Sequence, residues 1–393
     1  MKSVTSKIRS SGLVRAFSSA ARCPANQFLL SPESPGRRRV LGAALALGAP
    51  ALVRAQSAAP LKIGFVYVAP LTDVGWVRQH EQGRLAVQAA LGGRVQTHYV
   101  ENVPEGPDAE RVIRELAQQG HRLIFTPSFG YMEPTLKVAR EFPDVRFESI
   151  TGYKTAPNVA TANARYYEGR YLAGVAAGRV CASGKAGYVA GFPIPEVLQG
   201  INAFTLGMRS VNPKATVKVL WLQAWFDPPR ERDAAMTLFD QGVDAIVFHT
   251  GTTASIAAAQ QRGKLAVAYH SDMRAIAPDA QILAVTHEWG GYYTQRARAL
   301  LDGNWKSGDV WGGIASGMIR VGDFGPKVPA AVRDEVLVRQ KEIGSGARHP
   351  FHAENAIRDN KGRQVVAAGQ TLDDAAILQM NWLVEGVEGG LPG

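Results

Sequence analysis

Cysteine is scarce in this chain of 393 residues, which contains only Cys23 and Cys181. Cys23 lies in the amino-terminal leader described below, so a processed protein keeps a single thiol and forms no internal disulfide. Cys181 ends an apolar helical pattern, which predicts a buried, unreactive thiol rather than a nucleophile. Stability must therefore come from a hydrophobic core, and a chain of this length can bury a large one.

The sequence also lacks the motifs of common enzyme classes. No Gly-x-Gly-x-x-Gly follows the first predicted strand, and the chain has neither a phosphate-binding Gly-Lys-Ser/Thr nor a Gly-x-Ser-x-Gly. Two His-Glu pairs, His80-Glu81 and His287-Glu288, begin like the zinc-binding helix of a metalloprotease. Arg84 and Gly291 stand where the second histidine is required. We therefore predict a protein that is not an enzyme and that needs no cofactor and no metal.

Outside the leader, the chain has almost no excess of one charge. The formal net charge is +10, but residues 1–55 alone hold nine Lys or Arg and only one acid. The remaining residues hold 35 bases and 33 acids. A nearly neutral body lacks the broad basic surface of nucleic-acid-binding proteins, so we expect no nucleic-acid partner.

The leader has the pattern of an export signal. An arginine run, Arg37 to Arg39, precedes an apolar stretch from Val40 to Val53, which is too short to span a bilayer. Small residues follow, so we predict a signal peptide over 1–55 that is cleaved near Ala55. The paired arginines resemble a twin-arginine signal, and an ordinary Sec signal is the alternative. No cysteine stands directly after the apolar stretch, which favours a periplasmic protein that is not a lipoprotein.

From Leu61 onward, strand and helix patterns alternate. Short apolar runs predict strands at 61–68, 95–103, 122–126 and 146–151, and amphipathic helices lie between them, one with Asp108 as its N-cap. The pattern begins again with a helix at 167–181 and strands near 185–191, 216–222, 244–250, 265–270 and 281–286. Strand–helix–strand spacing implies parallel sheets with right-handed crossovers. We predict an α/β protein of two Rossmann-like lobes that are joined by hinge crossings.

The predicted boundaries follow from these two runs. The amino-terminal lobe is expected to comprise 60–163 plus about 287–315, and the carboxy-terminal lobe 164–286 plus about 316–327. An extension over 328–393, with one helix, a hairpin near Asp359–Gly362 and a short helix at 373–383, is expected to pack on the lobes.

Aromatic and polar residues cluster where predicted strands end. In parallel sheets, ligands bind at that carboxyl edge, so two facing lobes would form a cleft there. Stacking rings and hydrogen-bonding carboxylates suit a flat heteroaromatic ligand. The candidate ligand-binding residues are Asp73, Gly75, Trp76, Ser128, Phe129, Tyr131, Trp225, Asp227, Asp272, His287 and Trp289.

Some of these residues have a purely structural alternative. Asp73 and Asp227 stand at helix starts, where an acid is an ordinary N-cap, and Pro228 favours that reading for Asp227. A loop tryptophan such as Trp225 can also cover the edge of a sheet without touching a ligand.

Several stretches resemble the basic membrane protein (BMP) family of ABC-transporter substrate-binding proteins. The likeness covers about residues 60–325, and the carboxy-terminal tail resembles one branch of the family. The motifs that carry it are Ala162–Gly169 leading into Tyr171-Leu172-Ala173-Gly174, Trp225-Phe226-Asp227-Pro228, Gly242–Ile246, Gly369–Asp374 and Met380–Val387. The resemblance implies a type I periplasmic binding protein whose ligand lies between the lobes.

The resemblance also implies a ligand class, namely purine nucleosides or bases. Trp225 corresponds to the family's stacking ring, and Asp272 to the aspartate that holds a ribose. Gly75-Trp76 stands where the family has a Phe-Asn pair, so a stacking ring remains but the amide is lost, and His287-Glu288-Trp289 replaces a ribose-binding lysine. These departures favour a free base, such as adenine, over a nucleoside.

The implied partners are a purine-type ligand and an ABC permease in the inner membrane, and we expect the protein to be a monomer. A sensory or signalling ligand-binding protein on the same fold is the alternative.

Overall fold

The computed structural model describes residues 59–392, and the predicted signal peptide lies outside them. Between those limits, none of the helices has both the length and the apolar character needed to cross a bilayer. Cys181 is buried, as predicted, and burial raises the pKa of its thiol to about 12.

The first half of the fold alternates strands and helices. Its elements are β1 (Leu61–Val66), α1 (Trp76–Leu91), β2 (Val95–Val100), α2 (Pro107–Gln118), β3 (Leu123–Pro127), α3 (Met132–Glu141), β4 (Arg146–Ile150) and β5 (Val159–Ala164). Every residue of β3 is buried, as expected for a parallel sheet that helices cover on both faces. The helix α2 begins with Pro107 after Gly106, so the prediction of Asp108 as its N-cap was wrong.

The same alternation continues in the second half. It comprises α4 (Tyr166–Val180), β6 (Lys185–Ala190), α5 (Pro195–Arg209), β7 (Thr216–Trp221), α6 (Pro228–Asp240), β8 (Ala245–His249), α7 (Ala254–Gln261), β9 (Leu265–His270) and β10 (Gln281–His287). Here Asp227 does cap a helix, because its side chain accepts a hydrogen bond from the Arg230 amide at the start of α6.

The last part of the chain returns to both sheets and then forms an extension. Its elements are α8 (Gly290–Leu301), β11 (Asp309–Gly312), β12 (Ile319–Gly322), α9 (Ala330–Gly344), β13 (Ile357–Arg358), β14 (Gln364–Val366), α10 (Asp374–Leu378) and β15 (Val387–Glu388). The expected hairpin is present as β13 and β14, whereas the final helix is shorter than predicted.

Two sheets organise the fold. The first has the order β11-β5-β4-β3-β1-β2 with all neighbours parallel, and the second has the order β12-β10-β9-β8-β6-β7-β15 with only β12 antiparallel. The predicted α/β class with two parallel sheets is confirmed. We call the sheet that contains β1 and its helices the first lobe, and the sheet that contains β6 and its helices the second lobe.

The helices α4 and α5 cross at unusually close range. A Cβ atom on Gly174 would lie 2.0 Å from the carbonyl oxygen of Phe204, and one on Gly207 would lie 2.0 Å from that of Tyr171. Since real Cβ atoms do not approach that closely, only glycine allows this contact. The Ala/Gly-rich sequence of α4 makes this close packing possible.

Candidate functional site at the carboxyl edges of both sheets

A cavity lies where the carboxyl ends of strands from both lobes face each other. The first lobe contributes residues that follow β1, β3 and β4, and the second lobe contributes residues at the ends of β6, β7, β8 and β9. Each lobe has its strands in the order 2-1-3-4-5, so the cavity lies outside the carboxyl ends of the strands, where ligands of such sheets bind. Its lining is Val68, Ala69, Pro70, Thr72, Val74, Trp76, Val77, Ser128, Phe129, Thr151, Ile194, Glu196, Trp225, Phe226, His249, Gly251 and His270.

Four of the residues predicted from sequence line this cavity: Trp76, Ser128, Phe129 and Trp225. The Trp76 indole is held in place because its Nε1 donates to the Pro127 carbonyl at 2.9 Å. The Trp225 ring packs against Phe192, with ring centroids 4.8 Å apart. Aromatic surface therefore enters the cavity from both lobes.

The structure places three other predicted residues near the cavity but in structural contacts. The Tyr131 hydroxyl donates to the Val103 carbonyl inside the first lobe. Trp289 is fully buried, and its Nε1 donates to His287 Nδ1 at 2.6 Å, so both side chains lie behind the cavity wall. Their strand-end positions predicted ligand contact, but packing takes their side chains into the interior.

The structure does not bring the predicted aspartates into the cavity. Asp227 caps α6, and Asp73 is exposed. Asp272 is also exposed, and its carboxylate accepts hydrogen bonds from Arg274 and from Gln281 Nε2. Because these groups already occupy the carboxylate, Asp272 does not serve as the predicted acceptor in this arrangement. Asp73 and Asp272 instead line a separate polar groove on the surface.

The predicted set lacks five polar residues that line the cavity: Thr72, Thr151, Glu196, His249 and His270. His249 and His270 are the last residues of β8 and β9, and Thr151 directly follows β4. The strand-end criterion that selected Trp225 applies equally to these three. Glu196 carried a weaker signal, because an acid in the first turn of α5 is an ordinary feature of a helix start.

Four buried polar atoms of lining residues have no hydrogen-bond partner among the described residues. They are Trp225 Nε1, Glu196 Oε2, His249 Nδ1 and Thr151 Oγ1. An unpaired buried polar group costs about 1–3 kcal/mol, so native proteins seldom leave several together without a purpose. A ligand with its own donors and acceptors would pair them.

Glu196 is the sole carboxylate among the lining residues. Its Oε1 lies 3.4 Å from His249 Nε2. Burial raises the pKa of this carboxyl to about 7, against the lowering effects of the Asn163 side chain and the nearby Arg170 guanidinium. Burial also holds the pKa of His249 well below its usual range, so that imidazole is neutral. At pH 7 the imidazole is therefore neutral and the carboxyl is about half protonated.

Two lining residues have a strained backbone. Thr151 has φ 67° and His270 has φ 69°, which is the left-handed region that non-glycine residues rarely adopt. Each stands at the carboxyl end of the fourth strand of its lobe, so the strain occurs at equivalent places on the two sides of the cavity. Strain of this kind is typical of ligand sites, where the surrounding structure enforces it.

The two lobes contact each other beside the cavity. Ser271 Oγ, which follows β9, accepts hydrogen bonds from the Gly75 amide at 3.1 Å and from Gln79 Nε2 at 2.9 Å. Gly75, a predicted ligand residue, therefore serves the contact between lobes rather than the cavity lining. A Cβ on Gly75 would lie 2.4 Å from the Gly251 carbonyl oxygen, so the approach leaves no room for a side chain.

The residues from 59 to 392 hold no cluster of three or more His, Cys, Asp or Glu side chains with the geometry of a metal site. The polar atoms of the cavity are thus suited to an organic molecule that offers hydrogen bonds and flat apolar faces.

Residues 61–347 match the family model of PnrA-like ABC transporter substrate-binding proteins. The chain belongs to this family. The BMP resemblance found in the sequence is thereby confirmed. Members of the family take a small molecule outside the cytoplasmic membrane to a transporter permease, so this chain has a small-molecule ligand and a permease as partners.

Individual relatives support the assignment. A purine-binding protein of Brucella abortus is 49% identical over 332 residues, which is 84% of this chain and 94% of the relative. A Haloferax volcanii protein, described provisionally as an ABC transporter glucose-binding protein, is 37% identical over 329 residues, or 84% of this chain and 80% of the relative. A solute-binding protein structure from Aeropyrum pernix shares the fold, with a TM-score of 0.64 at 18% identity, covering 81% of this chain and 95% of the other.

Proposed function

We propose that this substrate-binding protein captures a purine-type ligand, with a nucleobase such as adenine as the preferred form. The observation that carries the proposal is the cavity between the lobes, where Trp76 and Trp225 supply rings from opposite sides and buried polar atoms lack partners. A purine presents two flat faces and an edge of donors and acceptors, which matches that combination. The 49% identical purine-binding relative supports the same ligand class.

The cavity favours a base over a nucleoside or a sugar. Sugar hydroxyls are commonly held by several carboxylates and amides, whereas Glu196 is the one carboxylate in the lining. The aspartate expected to hold a ribose, Asp272, is engaged by Arg274 on the exposed surface. A glucose-type ligand, as the Haloferax relative would suggest, finds few partners here.

Ligand class can be tested by thermal unfolding of the purified mature protein. Adenine, guanine, hypoxanthine, adenosine, ribose, glucose and an amino-acid set are compared at equal concentration. At one hundred times its dissociation constant a ligand adds about 2.7 kcal/mol to the free energy of unfolding. We expect the purine bases to stabilise most. Stabilisation by glucose or ribose, with no response to purines, would contradict the proposal.

Trp225→Ala is expected to weaken purine binding at least about tenfold in calorimetry. The substitution removes the buried face of the indole and its aromatic-pair contribution of about 0.5–1.5 kcal/mol, and 1.4 kcal/mol corresponds to tenfold. Trp221→Ala is the matched control, because Trp221 ends β7 nearby but donates to the Gly390 carbonyl, away from the cavity. A lowered melting temperature with unchanged affinity would mean that Trp225 only covers the sheet edge.

We further propose that the chain reaches the periplasm as a non-lipidated monomer through a signal peptide that ends near Ala55. The arginine run and the apolar stretch after it support this route. Replacing Arg37 and Arg38 by lysine should trap the precursor in the cytoplasm, as seen by fractionation and immunoblotting. An unchanged periplasmic yield would exclude the twin-arginine route and leave a Sec signal.

A further inference from the structure

A chain of hydrogen bonds runs from the interior of the protein to the wall of the cavity. Trp289 Nε1 contacts His287 Nδ1 at 2.6 Å, and His287 Nε2 contacts His270 Nδ1 at 2.9 Å. Each of the three side chains is buried, and only His270 lines the cavity. The two histidines end the neighbouring parallel strands β9 and β10, which explains why their rings meet.

Elementary chemistry sets the direction of this chain. An indole nitrogen carries a hydrogen and can only donate, so His287 Nδ1 must be the acceptor. A neutral imidazole has one N–H, which places the His287 proton on Nε2, and that N–H donates to His270 Nδ1. The His270 proton is then on Nε2. No described residue hydrogen-bonds that nitrogen.

Burial keeps both rings neutral, so this direction holds at physiological pH. It lowers the pKa of His287 to about 3 and that of His270 well below its usual range. Other aromatic rings fix the two imidazoles in position. Trp76 packs edge-on against His270 with ring centroids 5.5 Å apart, and Tyr166 packs edge-on against His287 at 5.4 Å.

We infer that His270 presents a fixed Nε2–H donor to the ligand and that the bound purine offers an unprotonated ring nitrogen at that point. His287 and Trp289 are positioning residues, because they hold this tautomer. The inference rests on the proposed purine function and identifies His270 as the side chain that recognises the purine edge. His287 and Trp289, predicted from sequence to touch the ligand, would act on it through His270.

The arrangement implies discrimination by hydrogen-bond polarity. Because the His270 tautomer is fixed, its N–H can donate only to a ligand atom that accepts, such as an unprotonated ring nitrogen. A ligand C–H or N–H at the same place cannot form this hydrogen bond. A site built around a buried hydrogen bond discriminates strongly against analogues that lack it, because the protein group is left unpaired. Specificity would thus originate partly from Trp289, which does not line the cavity.

The ligand side of this inference can be tested with deaza analogues. In 1-deaza-, 3-deaza- and 7-deazaadenine, one ring nitrogen is replaced by C–H. We call the loss of affinity of an analogue relative to adenine, measured by calorimetry in the same protein, its penalty. For one analogue the penalty in the native protein should be at least about tenfold. In His270→Phe, adenine should bind more weakly, and the penalty for that one analogue should disappear while any penalties for the other two analogues persist. His98→Phe is the control, because His98 is exposed on β2, and it should keep every penalty.

Equal penalties in the native protein and in His270→Phe, or no penalty for any analogue, would overturn the assignment of His270 as the reader. If adenine does not bind the native protein at all, the proposed function fails instead. The hydrogen-bond chain remains testable in that case, because it exists without ligand.

Imidazole ¹⁵N NMR of the ligand-free protein tests the chain directly. We expect the Nε2–H pattern for both His270 and His287, assigned by comparison with His270→Phe. Trp289→Phe removes the N–H that orients His287, so the fixed tautomers should be lost and the penalty for the sensitive analogue should shrink. A purely structural Trp289 would lower the melting temperature but leave the tautomers and the penalties unchanged. An Nδ1–H pattern at His270 in the native protein would refute the inference.

Discussion

Replacing Gly75 by alanine is expected to weaken adenine binding by about a hundredfold or more. The new Cβ would lie 2.4 Å from the Gly251 carbonyl oxygen on the opposite lobe, so the lobes could not reach their observed approach. Separation would also lengthen the hydrogen bonds from Gly75 and Gln79 to Ser271 Oγ. A ligand that contacts both lobes stabilises the closed form only by its differential affinity for that form. If the closed form is destabilised by about 3 kcal/mol, the dissociation constant rises about a hundredfold.

Gly106→Ala provides a matched control for backbone strain. Gly75 and Gly106 both precede a helix with positive φ, 94° and 89°, but a Cβ on Gly106 would meet nothing within 4 Å. Alanine should lower the free energy of unfolding at both positions, because a positive φ is unfavourable for a residue with a Cβ atom. Only Gly75→Ala should also lose affinity for adenine. Calorimetry with adenine and thermal unfolding without ligand separate the two effects. Equal affinities in the two variants would show that binding does not require the close approach at Gly75.

Glu196→Gln is expected to stabilise the ligand-free protein at alkaline pH but not at acidic pH. The folded-state pKa of about 7 lies above the usual value of 4.5, so the unfolded chain releases this proton first as the pH rises. The free energy of unfolding of the native protein should therefore fall between about pH 4.5 and pH 7 and stay low above it. The difference between these two pKa values corresponds to about 3 kcal/mol of unfolding free energy. Glutamine does not ionise, so the free energy of unfolding of the variant does not fall for this reason.

Denaturant unfolding at pH 4.5, 6 and 8 measures the effect as the difference in unfolding free energy between variant and native protein. This difference should rise with pH by about 3 kcal/mol. Glu288→Gln removes a carboxyl from the exposed surface and serves as the control, with no comparable pH trend expected. A difference that stays constant with pH would show that Glu196 is not forced to keep its proton by burial.

The main elements of the fold were predictable because their patterns are local. The helix α1 (Trp76–Leu91) lies between the first two strands, where an amphipathic helix was predicted, and the apolar run before it forms β1. The strand β5 was missed, since its sequence VATANA has little apolar character and no helix separates it from β4. The two-residue β15 was missed as well, because its pairing with β7 depends on a contact far away in the sequence.

The cavity was less predictable than the fold. Strand ends indicate an edge of the sheet, but they do not say which side chain turns toward the other lobe. Trp225 and Trp289 have the same sequence signal, yet one lines the cavity and the other lies fully buried behind it. The same limit applies to acidic residues. Asp272 accepts a hydrogen bond from Arg274 outside the cavity, whereas Glu196, in the first turn of α5, lines the cavity. These outcomes depend on partners that only the folded chain brings together.

The strand order has a consequence for the synthesis of the protein. Asp309 of β11 pairs with Thr161 of β5, 148 residues earlier, so the edge of the first sheet is completed after nearly all of the second has been made. Long-range pairings of this kind slow folding. A chain that stops before Asp309 would also lack β12, leaving both β5 and β10 as open edges. Such edges invite pairing with other chains, so a nascent or truncated form is expected to aggregate, and neither lobe should be obtainable by cutting the chain once.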